Sequence, residues 1–448
     1  MNNLSSFRRS AGLARQIGFA VALASGTALL AVPGFTGAAY AQKKKKGEQE
    51  APKAAFTEAF VKAYQPIETA LKAPTPDVAA LKPQILALIP LANTPDEKSA
   101  TGAMMYNSGI IGKDPALQLQ GADLMISSGK LPSEEAGRFN VVASQLAAQL
   151  KQYEKARAYL QTAIDLKYTA QGVTPTDLHV NLADLYLSEG RTVDGLKVLS
   201  DVIAARKAEG APVDQRIYQR GVKLAYDDQI VPQVYEFSRN WVADFPTTDN
   251  WRDAINITRN LNDFDAPVML DLLRLGKQVG ALKEKNDYIT YIESADTRRL
   301  PAEVKAVIDE ANAKGVIPKG SDSWVEEQAK MANGLVAEDR TALPVLERDA
   351  NAPTAQLRTV LAAGEAFLSH SEYAKAAAFY QKALGMPGAD RNLLQTRLGI
   401  AQIGLGQSDA ARETLGKVEG PRALVAQLWA AYASQKAPVA TGGAATGS

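Results

Sequence analysis

Cysteine is absent from all 448 residues, and histidine occurs only twice. The first absence excludes disulfides, thiolate metal sites, a cysteine nucleophile and a lipid anchor on a cysteine. The second removes most of the usual material for general-base catalysis and for metal ligation. Aromatics are scarce at 7%, and neither charge sign dominates, since 50 Lys and Arg face 49 Asp and Glu. Without a basic excess there is no electrostatic footprint for nucleic acid. Alternating apolar runs are also missing, so no sheet is expected.

Small apolar residues in helical spacing fill the chain instead. Length alone suggests roughly two or three domains, but repeat proteins escape that rule because they grow by repetition. The organising stretch runs from Ala355 to Val418. Gly364 recurs as Gly399, Ala376 as Ala411, Tyr380 as Leu415 and Ala383 as Val418, each after 35 residues. A unit of that length is a helix pair that cannot bury its own apolar face and must stack on a neighbour. Tyr153, Ala156, Leu160 and Ala163 repeat the spacing of Tyr373, Ala376, Tyr380 and Ala383. The next unit offers Leu182, Ala183, Tyr186, Leu199 and Val202, with Gly195 in the alanine slot 39 residues after Ala156.

This spacing resembles the tetratricopeptide repeat. The resemblance implies an all-α fold, an α-solenoid or superhelix of stacked helix-turn-helix units. It also implies that the first helix of each unit lines an inner groove taking peptides or partner helices. Carried onto this chain, the groove residues would be Arg358, Leu361, Glu365 and Leu368, then Leu393, Thr396, Ile400 and Ile403. In the second central unit they would be Asp177, Val180, Asp184 and Leu187. The row Leu393, Ile400, Ile403 is more apolar than a solvated groove should be. It marks a partner site, or it is covered by the helix that follows Pro421.

The order of segments follows from punctuation. Residues 1–41 read as a signal peptide: Arg8, Arg9 and Arg15 precede the apolar run from Ile17 to Val32, and Ala39-Tyr40-Ala41 invites cleavage between Ala41 and Gln42. The run falls short of the ~20 residues of a spanning helix. Contact with a membrane would thus come only through a leader left uncleaved. Removing its three arginines takes the formal charge from +1 to −2. Residues 42–51, with Lys43 to Lys46, form a disordered basic linker.

An N-terminal helical region is expected over 52–136, and degenerate central repeats over 137–316. A hinge with linking helices, Trp324 to Ala337 and Thr341 to Asp349, covers 317–352. C-terminal repeats with a closing helix span 353–436, and a disordered Gly/Ala/Thr tail spans 437–448.

Chemistry is sparse. His179 occupies the slot that the repeat usually gives to a bulky aromatic, as Trp251 does in its own unit, and reads as a packing residue. His370, beside Ser369, Ser371 and Glu372, reads as a turn residue, because a triad must converge from separate segments. Tyr291-Ile292-Glu293-Ser294 resembles the glutamate–serine signature of lytic transglycosylases, but the downstream part of that signature is missing. No cofactor or metal site is expected, and no catalytic residue.

The leading expectation is therefore a non-catalytic periplasmic scaffold for other envelope proteins or peptides. The alternatives are a peptidoglycan-associated enzyme acting through Glu293, and a membrane-anchored envelope assembly factor.

Overall fold

The computed structural model describes residues 56–436. The expectations placed on residues 1–51 (leader, cleavage at Ala41–Gln42, lysine run) and on 437–448 lie outside these. Among the described residues there are twenty α-helices and no strand; one isolated bridge, Ala170 to Val173, is the only β pairing. No described helix is long and apolar enough to cross a membrane. The chain divides into two compact units, one ending at Ile217 and one beginning at Tyr218.

Unit 1 holds α1 (Glu58–Leu71), α2 (Val78–Leu86), α3 (Pro95–Ile111), α4 (Pro115–Ser127), α5 (Ser133–Gln149), α6 (Tyr153–Asp165), α7 (Pro175–Ser188) and α8 (Thr192–Ala208). The apolar stripe read from the sequence makes the first layer: Phe60, Tyr64 and Ile67 are buried, with Phe56 and Leu71 packed beside them. Consecutive helices then pair, α3 with α4, α5 with α6 and α7 with α8. The close-approach slot on the first helix is filled by a small residue each time. Ser144 on α5 donates its hydroxyl to the Ala156 carbonyl of α6 at 2.8 Å. In the next pair Ala183 takes that slot, and the opposing residue is Gly195, where a Cβ would lie 2.8 Å from the Ala183 carbonyl oxygen. Glycine at 195 thus compensates for alanine at 183.

The N-terminal layer is pinned by one buried carboxylate. Glu97 is fully buried and accepts from the Thr57 amide (2.6 Å), the Thr57 hydroxyl (2.7 Å) and the amides of Asn93 and Thr94 (2.8 Å each). Burial pushes its carboxyl up, but these four donors outweigh that and hold it below the ordinary range. The contribution is full above the unfolded Glu value of about 4.3 and is lost as pH falls through the depressed folded value. Glu97→Gln puts an amide NH₂ among donors, so it should cost about 1–3 kcal/mol at neutral pH. The check is a urea titration together with amide exchange, in which the Thr57 N–H loses protection first.

From α9 (Gln215–Asp227), which crosses the unit boundary, the pairing continues through α10 (Val231–Asp244), α11 (Thr248–Asn260), α12 (Ala266–Gln278), α13 (Lys285–Ala295) and α14 (Pro301–Ala313). It goes on through α15 (Ser323–Asn351), α16 (Leu357–Ser369), α17 (Tyr373–Leu384), α18 (Arg391–Gly404), α19 (Ser408–Leu415) and α20 (Arg422–Lys436). The repeat period has a steric cause. A Cβ at Gly364 would sit 2.7 Å from the Tyr380 ring, and one at Gly399 would sit 2.5 Å from Leu415. Gly221 and Phe237 meet in the same way, again sixteen residues apart. Glycine on the first helix makes room for the large residue on the second.

Two helices were expected between Trp324 and Asp349; the structure has one, α15, of 29 residues. The carbonyl that Pro344 leaves without its helical partner belongs to Arg340, on a solvent-exposed stretch. Unit 2 also closes on itself. Helix α20 packs not only on α19 and α18 but also on α10 and α12, and α12 touches α18.

Candidate partner-binding surfaces

The closure of unit 2 is built around charge. Asp271 on α12, fully buried, accepts from Arg274 (2.9 Å), from Arg422 of α20 (2.7 Å) and from the Arg397 Nε of α18 (3.3 Å). Arg274 grips Glu303 of α14 with two bonds of 2.7 Å, and Glu303 also accepts from the Tyr291 hydroxyl at 2.7 Å. Arg397 reaches Glu365 of α16 as well, and Arg299 pairs with the same carboxylate at 2.6 Å. The Trp429 indole N–H donates to the Asp271 backbone carbonyl at 2.8 Å.

Three buried guanidiniums, those of Arg274, Arg397 and Arg422, therefore balance three carboxylates inside the unit, and Arg299 joins Glu365 from the exposed rim. Burial pushes the Asp271 carboxyl up; Arg397, Arg274 and Arg422 together outweigh this and hold it below the usual range. Burial acts likewise on Glu303 and is outweighed by Arg274 and the Tyr291 hydroxyl. Burial and the neighbouring Glu303 carboxylate push the Tyr291 phenol well up. The cluster is matched charge for charge, which suits a structural clasp and offers no free acid or base.

The residues assigned to the C-terminal groove fall into this closure. On α18 every residue from Leu394 to Ala401 is buried, including Thr396 and Ile400. Leu368 is buried on α16, Glu365 is held by Arg397 and Arg299, and Leu361, Leu393 and Ile403 are half-buried. Arg358 alone of that set is exposed. Of the apolar row Ile400 is buried, while Leu393 and Ile403 are half-buried, and α20 packs on the same helix. Sequence reasoning did not find Asp271, Arg274, Glu303 and Arg422; the signal for the first two was acid and base inside the leucine-rich run Val268–Leu275.

On α7 the assigned row is more open. Asp177 caps its own helix through Thr174 and pairs with Arg216 at 2.7 Å. Val180, Asp184 and Leu187 are half-buried. Another face of α7 borders a cleft of about 770 Å³, with Pro175, His179 and Leu182 on one side and Val198, Val202 and Ala205 of α8 on the other. His179 Nδ1 lies 2.7 Å from the Pro175 carbonyl. Its ring lines the cleft, whereas Trp251 is buried against Tyr432 of α20. His370 is buried against Asp339 at 2.6 Å. Glu293 is exposed on α13. No group of three or more His, Asp and Glu able to hold a metal occurs among the described residues.

No curated protein matches the chain. Among solved structures it is similar to the structure of Naa15/Naa10 bound to HypK-THB, at 15% identity and a TM-score of 0.25. The match covers 80% of this chain and 61% of that one. Residues 138–169, most of α5 and all of α6, match the tetratricopeptide repeat.

Proposed function

We propose that the protein is a non-catalytic scaffold of the bacterial periplasm, and that it holds segments of partner proteins or peptides along unit 1. The carrying observation is a contrast between the two units. Val180, Asp184 and Leu187 stand half-exposed one helix pair beyond the matched repeat, while Thr396 and Ile400 are spent on the protein's own core. The periplasmic part rests on the leader read from residues 1–41.

The test is affinity capture from envelope extract with the exported form, comparing wild type with Leu187→Glu and Ile400→Glu. Leu187→Glu should keep the circular dichroism spectrum and lose the captured partner. Ile400→Glu should act only through stability, lowering the melting temperature of unit 2. A partner set unchanged by Leu187→Glu would move the site elsewhere. An N-terminal sequence beginning at Gln42 would support export; one beginning at Met1 would refute cleavage.

A further inference from the structure

Helix α15 is anchored along one face and bare along the other. Val325 and Ala332 are buried on its N-terminal half, and Leu343 and Ala350 on its C-terminal half. The stripe Glu327, Lys330, Gly334, Ala337, Thr341 and Val345 is exposed from end to end, with Val345 51% accessible. A shallow groove of about 700 Å³ runs beside it, lined by Arg298, Met331 and Leu335. Gly334 sits mid-helix at a cost of ~1 kcal/mol relative to alanine. Nothing among the described residues repays that cost, since a Cβ there would meet none of their atoms within 4 Å. Lys330 and Glu338 stand four residues before and after the glycine, and neither makes an ion pair among the described residues.

We propose that this face is the self-association surface of the protein, with α15 of two copies packed antiparallel about a two-fold axis through Gly334. The charge pattern is what selects a second copy as the partner. About such an axis, each residue before Gly334 lies level with the residue equally far beyond it on the other helix. Lys330 then meets Glu338 of the second copy, and the reciprocal pair forms by symmetry. Met331 lies level with Ala337, and Glu327 with Thr341. Glycine at the axis lets the two backbones approach closely. A slip of one turn would break both ion pairs, so register and direction are set together. The stripe from Glu327 to Val345 is about 27 Å long. One helix face of that length falls short of the roughly 1,200 Å² of a standard interface, so association belongs in the micromolar range.

The cysteine-free chain makes the test direct. Gly334→Cys places the sole thiol on the axis, within the roughly 4.4–6.8 Å Cα separation that a disulfide needs, and mild oxidation should give a covalent dimer. Val345→Cys, on the same stripe but about 33 Å from its own counterpart, should not cross-link. In sedimentation equilibrium of the full chain, Lys330→Glu and Glu338→Lys should each weaken association about tenfold. An equimolar mixture of those two variants should recover it, because opposite charges then face each other at both positions. Three results would overturn the proposal: a wild type that stays monomeric across the micromolar range, cross-linking at 334 no faster than at 345, or charge variants that associate as the wild type does. Misfolding does not confuse the reading, since every substituted side chain projects from an exposed position.

Discussion

Asp271→Ala is expected to lower the stability of unit 2 by about 3–5 kcal/mol, the usual result of removing one partner from a buried ionic cluster. The loss falls unevenly. Arg274 keeps Glu303, and Arg397 keeps Glu365, but Arg422 has no other carboxylate among the described residues and is 8% exposed. Its guanidinium would be left charged and unpaired beneath α20, the most expensive outcome a buried cation can meet. Asp271→Asn should cost less, since the amide oxygen still accepts from one guanidinium. The readout is convenient because all four tryptophans, at 241, 251, 324 and 429, belong to unit 2. Urea unfolding followed by tryptophan fluorescence should shift strongly in the variant. The part of the circular dichroism transition that belongs to unit 1 should stay in place.

The same cluster sets an acid limit. Asp271 and Glu303 are both held below their ordinary values. Their contribution is therefore complete above the unfolded values of about 3.9 and 4.3, and disappears as pH falls through the folded ones. Wild-type unit 2 should lose stability steeply below about pH 4, and Asp271→Asn should flatten that limb while lying lower at pH 7.

The repeat was legible in the sequence because it is local. Gly364 with Tyr380, and Gly399 with Leu415, are steric pairs within one helix hairpin, so their spacing survives as a period along the chain. Helix ends rest on contacts just as local: Thr94, Thr174 and Asp390 cap helices within a few residues of themselves. The closure of unit 2 was not legible. Arg397 lies 126 residues from Asp271, and Trp429 lies 158 from it, and no periodicity links positions so far apart. What the sequence held was a mismatch, an apolar row on α18 where a solvated groove would be polar. The groove assignment on α18 and α16 follows from reading helices as members of an open stack. In unit 2 the last helix returns to the first ones.

Deleting α20 should have the largest effect of all. The helix buries Val425, Leu428, Trp429 and Tyr432, and at roughly 1.5–3 kcal/mol for each large apolar side chain these amount to some 6–12 kcal/mol as an upper bound. That is comparable with the whole stability of an ordinary domain, about 5–15 kcal/mol. Its hydrogen bonds span the closure as well: Arg422 to Asp271, Gln435 to the Val242 carbonyl, and Gln278 of α12 to the Tyr432 hydroxyl. Without it, Trp251 loses the ring it packs against, and the α18 row is uncovered. A chain ending at residue 421 should therefore lose the cooperative tryptophan transition, bind a hydrophobic dye and become protease-sensitive beyond α9, while unit 1 still melts cooperatively by circular dichroism. A truncated chain with an unaltered tryptophan transition and a newly bound partner at α18 would mean that α20 is a removable cover over a working groove, not a wall of the core.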